Sequence, residues 1–193
     1  NANENQVWLD NPHRKGEDDL GRIYGVQWRR WNNDDHYGPD AVVVDQLANA
    51  VNDVLYNPTS RRILVTAWNP SELVKMALPP CHMTYQLLVD VESNELSLCM
   101  YQRSCDLFLG IPFNIASYAL LLELIAAATG LMAGKLVMFL ADVHIYKNHI
   151  PQVEEQLKRE PLPLCQVQIA GNFFHSPIGI GRLDNCEPSD IEL

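Results

Sequence analysis

Positive charge is scarce in this 193-residue chain: 14 Lys and Arg stand against 24 Asp and Glu, a net charge of −10, with a pI near 4.9. A general nucleic-acid binder presents a broad basic face, so no nucleic-acid partner is expected. A small anionic ligand remains compatible, because a few local arginines overrule the global sign. The five cysteines form no CxxC pair and no structural-zinc spacing, so no metal is expected. Their odd number, and the absence of an apolar leader in Asn1-Ala2-Asn3-Glu4-Asn5, suit free thiols in a reducing cytoplasm. The longest apolar stretch, Tyr118 to Met132, is short for a bilayer and contains Glu123, so no membrane partner is expected. There is no internal repeat and no linker, and Gly179-Ile180-Gly181 is too short for a phosphate loop. The chain opens on Asn1 rather than Met, which implies a natural start upstream.

What is present is a globular mix, with 47% hydrophobic and 20% charged residues. Residues 1–40 are polar and loop-like, interrupted by Gln27-Trp28-Arg29-Arg30-Trp31. Asp45 starts a helix: Val44, Leu47, Ala48, Val51, Val54 and Leu55 recur at helical spacing until Asn57-Pro58. Arg62 to Trp68 reads as a buried strand. Thr84–Val91 and Glu95–Gln102 flank Glu92-Ser93-Asn94 as a hairpin. Asn114 to Thr129 predicts a nearly fully buried central helix stopped by Gly130. A strand over Lys135 to Ala141, a helix over His149 to Glu160 and a short strand over Gln166–Ala170 follow. The pattern describes one α+β domain over 1–193, a mixed twisted sheet with a buried central helix.

Three groups of residues are candidates for chemistry. Cys81 follows two prolines that stiffen its loop, as a nucleophilic thiol needs; a buried structural cysteine is the commoner reading, and spacing alone does not choose Cys81 over Cys105. Arg61-Arg62 abuts an apolar strand, and Arg103-Ser104-Cys105-Asp106 follows another. Guanidinium forks suit phosphate oxygens, although paired arginines are often a solvated face. His144 and Tyr146 lie two apart after a strand and so share a face. A Cys-His hydrolase built from Cys81, His144 and Asp142 is also conceivable, without a local signature.

The segments Pro79-Pro80-Cys81-His82 and Tyr101-Gln102-Arg103-Ser104-Cys105-Asp106-Leu107-Phe108-Leu109-Gly110-Ile111-Pro112-Phe113-Asn114-Ile115-Ala116-Ser117-Tyr118 resemble the thymidylate synthase family. So do Leu20 to Arg29, Ser60-Arg61-Arg62 and Asp142-Val143-His144-Ile145-Tyr146, in family order. The resemblance implies reductive methylation of dUMP to dTMP, with methylenetetrahydrofolate as cosubstrate giving carbon and hydride. It makes Cys81 the nucleophile at uracil C6, with Arg103 near the thiol and the phosphate. Arg61 and Arg62 would reach the partner's phosphate in a homodimer, and Ser104 would hold phosphate. Asn114 would read the uracil edge, and the main chain of Cys105 and Asp106 would hold the base. The Asp106 carboxylate would meet the folate pterin. His144 and Tyr146 would bond the deoxyribose hydroxyl, Ile145 between them would belong to the dUMP site, and Tyr24 and His82 would join the proton relay and water network around C5.

The sequence also departs from the family. Ala141 stands where a glycine is usual, and Gly171–Leu193 matches poorly. A preceding segment with a phosphate-binding arginine, a catalytic glutamate and a folate-facing tryptophan has no counterpart that can be assigned, nor has the C-terminal closing tail. The chain is therefore expected to be the central part of a synthase. A deoxyuridylate hydroxymethylase and a catalytically incomplete nucleotide-binding fragment are the alternatives; Asn114 in place of an acid favours uracil over cytosine.

Overall fold

The structure, a computed structural model, describes residues 16, 19–32, 38 and 42–192. Its centre is a four-stranded sheet in the order β1-β2-β3-β4: β1 Leu64–Thr66, β2 His82–Asp90, β3 Glu95–Asp106 and β4 Met132–His144. The first three strands are antiparallel neighbours and β3–β4 is parallel. A parallel neighbour needs a crossover, and the 20-residue helix Gly110–Thr129 supplies it. The other helices are α1 Gly25–Arg29, α2 Gln46–Tyr56, α4 Ile150–Gln156 and α5 Ile180–Asp184, with the crossover numbered α3.

Alternation along β2 and β3 decides which face is core. Tyr85 and Leu87 on β2, with Leu96, Leu98 and Met100 on β3, are fully buried and pack with Val51 and Val54 of α2 and Tyr118, Leu122, Ile125 and Ala126 of α3. The mixed sheet with its central helix is the architecture expected from the sequence. The opposite face stays open: Leu64, Leu88, Tyr101, Val137 and Phe139 are all exposed.

Several elements are longer or shorter than the sequence pattern suggests. Asp45 caps α2 as expected, its carboxylate accepting from Ala48 N at 2.9 Å, and Gly130 closes α3 in the left-handed region at φ 75°. But α3 begins at Gly110, because Pro112 lies in its first turn, where no amide donor is missed. At that length α3 is apolar enough to cross a membrane by length and composition alone. Nor is it buried all round: Phe113 is 73% exposed, and Pro112, Ile115 and Glu123 are also exposed. The strand over Arg62 to Trp68 shrinks to β1, and the His149–Glu160 helix to α4. Within the polar opening, α1 is a helix the sequence reading does not contain. The tail after Gly171, weakly patterned in sequence, folds into short helical turns, α5 and the edge strand Ile191–Glu192, which pairs with Gln168–Ile169.

Candidate active site

Strand directions gather the candidates at one end of the sheet. Cys81 immediately precedes β2. Antiparallel pairing puts His82 opposite Gln102, near the carboxyl end of β3, which carries Arg103 to Asp106. The parallel partner β4 ends at the same level, with Ser104 opposite Asp142 and Asp106 opposite His144. Ligands of α/β sheets bind outside such strand ends. A register shift between His82 and Thr84 inserts an extra residue, a bulge of the kind that re-aims a side chain beside a site.

Arg103 is held over the Cys81 loop. Its Nε donates to Pro80 O at 2.9 Å and its Nη2 to Pro79 O at 2.7 Å. Nη2 also lies 3.9 Å from Cys81 Sγ, and the guanidinium sits 5.7 Å from the Trp68 ring centre. The backbone of Arg103 donates to Cys81 O at 2.9 Å. Structure thus separates the two cysteines that spacing leaves equal. Cys81 is half-buried beside a fixed cation. Cys105 is fully buried, its thiol against Gln102 O, and burial pushes that thiol up.

A chain of hydrogen bonds runs inward from Ser104, and one carbonyl orients all of it. Gln102 Nε2 donates to Ser104 O, so the Gln102 amide has one orientation, and the same nitrogen donates to Asn114 Oδ1; both bonds are 3.0 Å. Asn114 must then present Nδ2 to His82 Nε2, 3.2 Å away. That nitrogen is the acceptor, so the proton of neutral His82 sits on Nδ1 and points to Tyr118 Oη at 3.2 Å. Burial lowers the His82 pKa to about 4, so the ring is neutral near pH 7. Tyr24 stacks on it, ring centres 4.5 Å apart, and the Tyr24 hydroxyl accepts from Cys81 N at 3.0 Å. Burial raises the Tyr24 pKa, the Cys81 amide pulling the other way. A cavity of about 300 Å³ opens against Tyr24, Trp28, His82 and Tyr118. A larger cleft of about 630 Å³ lies along α4, lined by Phe108, Pro112 and Arg159 among others. Of the two, only the smaller is lined by His82 and Tyr24, and Cys81 lines neither.

Asp106 is partly committed to its own turn, Oδ1 accepting from Phe108 N and Leu109 N. His144 lies at the strand end, edge-on to Tyr146 at 5.0 Å, with Nδ1 3.2 Å from Asp142 O. Ile145 and Tyr146 are exposed beside it. No contact joins His144 to Cys81 among the described residues, so the hydrolase triad is not assembled; the histidine beside the thiol is His82. Arg61 and Arg62 are apart from the rest. They lie before β1, where Gln86 rather than His82 is the neighbour, in an open groove of about 360 Å³ with Asn57, Thr59 and Ser60.

Three residues without an assigned role in the sequence reading belong to this site: Gln102, Tyr118 and Trp68. Gln102 had a visible signal. The inward positions of β3 read Leu96, Leu98, Met100, Gln102, and a polar side chain at the end of an apolar row needs a reason to be buried. No group of three or more His, Cys, Asp or Glu that could hold a metal occurs among the described residues.

A family model described as Thymidylate synthase matches residues 1–193. The chain is 39% identical over 226 aligned positions to the thymidylate synthase of Pseudomonas syringae pv. tomato (strain ATCC BAA-871 / DC3000), an alignment taking in 100% of this chain and 70% of that protein.

Proposed function

The chain belongs to the thymidylate synthase family, and from that premise we propose that it methylates dUMP to dTMP with methylenetetrahydrofolate as cosubstrate, through a Cys81 adduct. The observation that carries this reading is the Arg103 guanidinium, held by the Pro79 and Pro80 carbonyls and 3.9 Å from Cys81 Sγ. It puts a fixed cation beside the sulfur that carries the charge of the attacking thiolate.

Addition of that sulfur to uracil C6 makes C5 nucleophilic. C5 takes the one-carbon unit and loses its proton; hydride from the folate completes the methyl group, and Cys81 leaves. Asn114 reads the uracil edge, and Gln102 supports that role by fixing the orientation of the Asn114 amide. Tyr24 and His82 serve the C5 proton, and neutral His82 can pass it on without first losing one. Arg103 and Ser104 take the phosphate, the main chain of Cys105 and Asp106 the base, and the Asp106 carboxylate the pterin. His144, Ile145 and Tyr146 line the sugar.

We read 1–193 as one domain of a cytoplasmic homodimer. The exposed apolar sheet face supports a second copy, and the distance of Arg61 and Arg62 from their own Cys81 supports their reaching the partner's phosphate.

The test is product analysis with dUMP and methylenetetrahydrofolate. dTMP is expected, with Cys81→Ser lowering turnover by roughly 10⁴-fold or more while dUMP still binds. 5-Hydroxymethyl-dUMP as the product, or an active Cys81→Ser variant, overturns the reading.

A further inference from the structure

Glu72 is fully buried and lies outside the residues assigned to the reaction. Its Oε2 takes Arg22 Nε at 3.0 Å and is hydrogen-bonded by Gln27 Nε2. Gln27 Nε2 also donates to Arg22 O at 2.8 Å, and Asn69 Nδ2 donates to Gln27 Oε1 at 3.2 Å. The Arg22–Gln27 turn is thus closed by one side chain and clasped from below by one carboxylate.

Tyr24 sits at the crown of that turn. Its backbone is at φ 36°, ψ −99°, a strained region for a side chain of this size, which persists only where the surroundings over-determine it. The approach to the turn is equally constrained. Gly21 has φ 80°, and a Cβ there would lie 2.3 Å from Lys75 O. Gly21 bridges Met76, and Ala77 N donates to Leu20 O at 2.9 Å. The segment holding Glu72 therefore runs alongside the one holding Tyr24, and four residues after Met76 it reaches Pro80 and the nucleophile.

We propose that Glu72 is a positioning residue for loss of the C5 proton: through Arg22 and Gln27 it holds the Tyr24 turn in its strained form and so keeps the Tyr24 hydroxyl on the Cys81 amide. This rests on the reading that Tyr24 serves that proton. A neutral aliphatic residue at position 72 fills the same space without the clasp; a buried carboxylate with its second oxygen unpartnered among the described residues costs stability and contributes geometry.

The test uses the full chain. Glu72→Gln keeps the shape and removes the charge. The kcat for dTMP formation should fall about ten- to hundredfold, the usual consequence of displacing a reacting group by a fraction of an ångström to 1 Å. KM for dUMP should change by less than about twofold. With dUMP deuterated at C5, the isotope effect on kcat should exceed the parent's. In a Tyr24→Phe background the same substitution should add little, because the group it acts through is gone. Gln27→Met, which leaves the Arg22–Glu72 pair intact, should reproduce the signature even where Glu72→Gln does not fold. Losses that multiply in the double variant, or an unchanged isotope effect with only a lower Tm, overturn the proposal. A parent chain that makes no dTMP overturns the underlying reading, and is told apart because it fails before any substitution.

Discussion

His82 shows how a single burial event sets both chemistry and stability. Its pKa falls from 6.5 to about 4 because the charged ring is poorly solvated between Tyr24 and Tyr118. A depressed value means that the folded state takes up its proton later than the unfolded chain as pH falls. The stability associated with neutral His82 is therefore complete above pH 6.5 and is lost as pH drops through 4. The loss is about 3 kcal/mol from this group. Urea unfolding at several pH values should show the slope, and His82→Gln should flatten it between pH 6.5 and 4. If the variant keeps the full slope, the titration belongs to another group. The same displacement removes His82 as the source of a kinetic pKa near 6.5 in kcat/KM. Cys81 against Cys105 is the residue-scale lesson about legibility. Spacing leaves the two thiols equal; the family resemblance chooses Cys81, and the strand pairing that brings Arg103 over the Pro79-Pro80 turn supplies the physical difference.

At the scale of elements, the legible ones are those whose ends are marked chemically. α2 has an apolar stripe, a carboxylate at its start and Asn57-Pro58 at its end, so periodicity and capping agree. α1 escapes because five residues are too few to show a period. The start of α3 is hidden by Pro112, which reads as a breaker unless it falls in the first turn. β3 runs on to Asp106 although its last residues are polar; they are strand by pairing and site by chemistry, and the second role masks the first. Asp45 is the element most open to test. It caps α2 through Ala48 N and also takes Arg29 Nε at 2.8 Å, while Arg29 Nη1 holds Asp184 of α5 at 2.6 Å. Asp45→Ala removes the cap and should cost about 1 kcal/mol, a fall in Tm of about 2–4 °C for a chain of this size. Asp45→Asn keeps the acceptor and should retain most of that, since the ion pair is partly solvated. Equal Tm losses in the two variants would assign the stability to the charge instead.

At the scale of the whole molecule, one sheet face is left uncovered among the described residues, and its rows can be written from the register. Thr66, Thr84, Tyr101 and Phe139 form one row across the four strands, and Leu64, Gln86, Cys99 and Val137 the next. Phe139 is 58% exposed in the chain alone. Residues alternate, so this face cannot turn inward without sending Leu96, Leu98 and Met100 out. It is covered, if at all, by another surface, and a second copy offers the same rows about a two-fold axis. Arg61 and Arg62 lie just before β1, on the edge of this face and away from their own Cys81, so in the proposed dimer the pairing of faces would bring them to a phosphate. Phe139→Lys is then the decisive substitution. An exposed lysine costs the monomer little, and circular dichroism should be unchanged. In the dimer each copy would bury an unpaired ammonium, at several kcal/mol apiece, so sedimentation should show a shift to monomer. Turnover should fall with dimer population and recover at high protein concentration, because the defect is in association and not in Cys81. A monomeric variant with the parent's turnover would show that each chain completes its own site, and would remove Arg61 and Arg62 from phosphate binding.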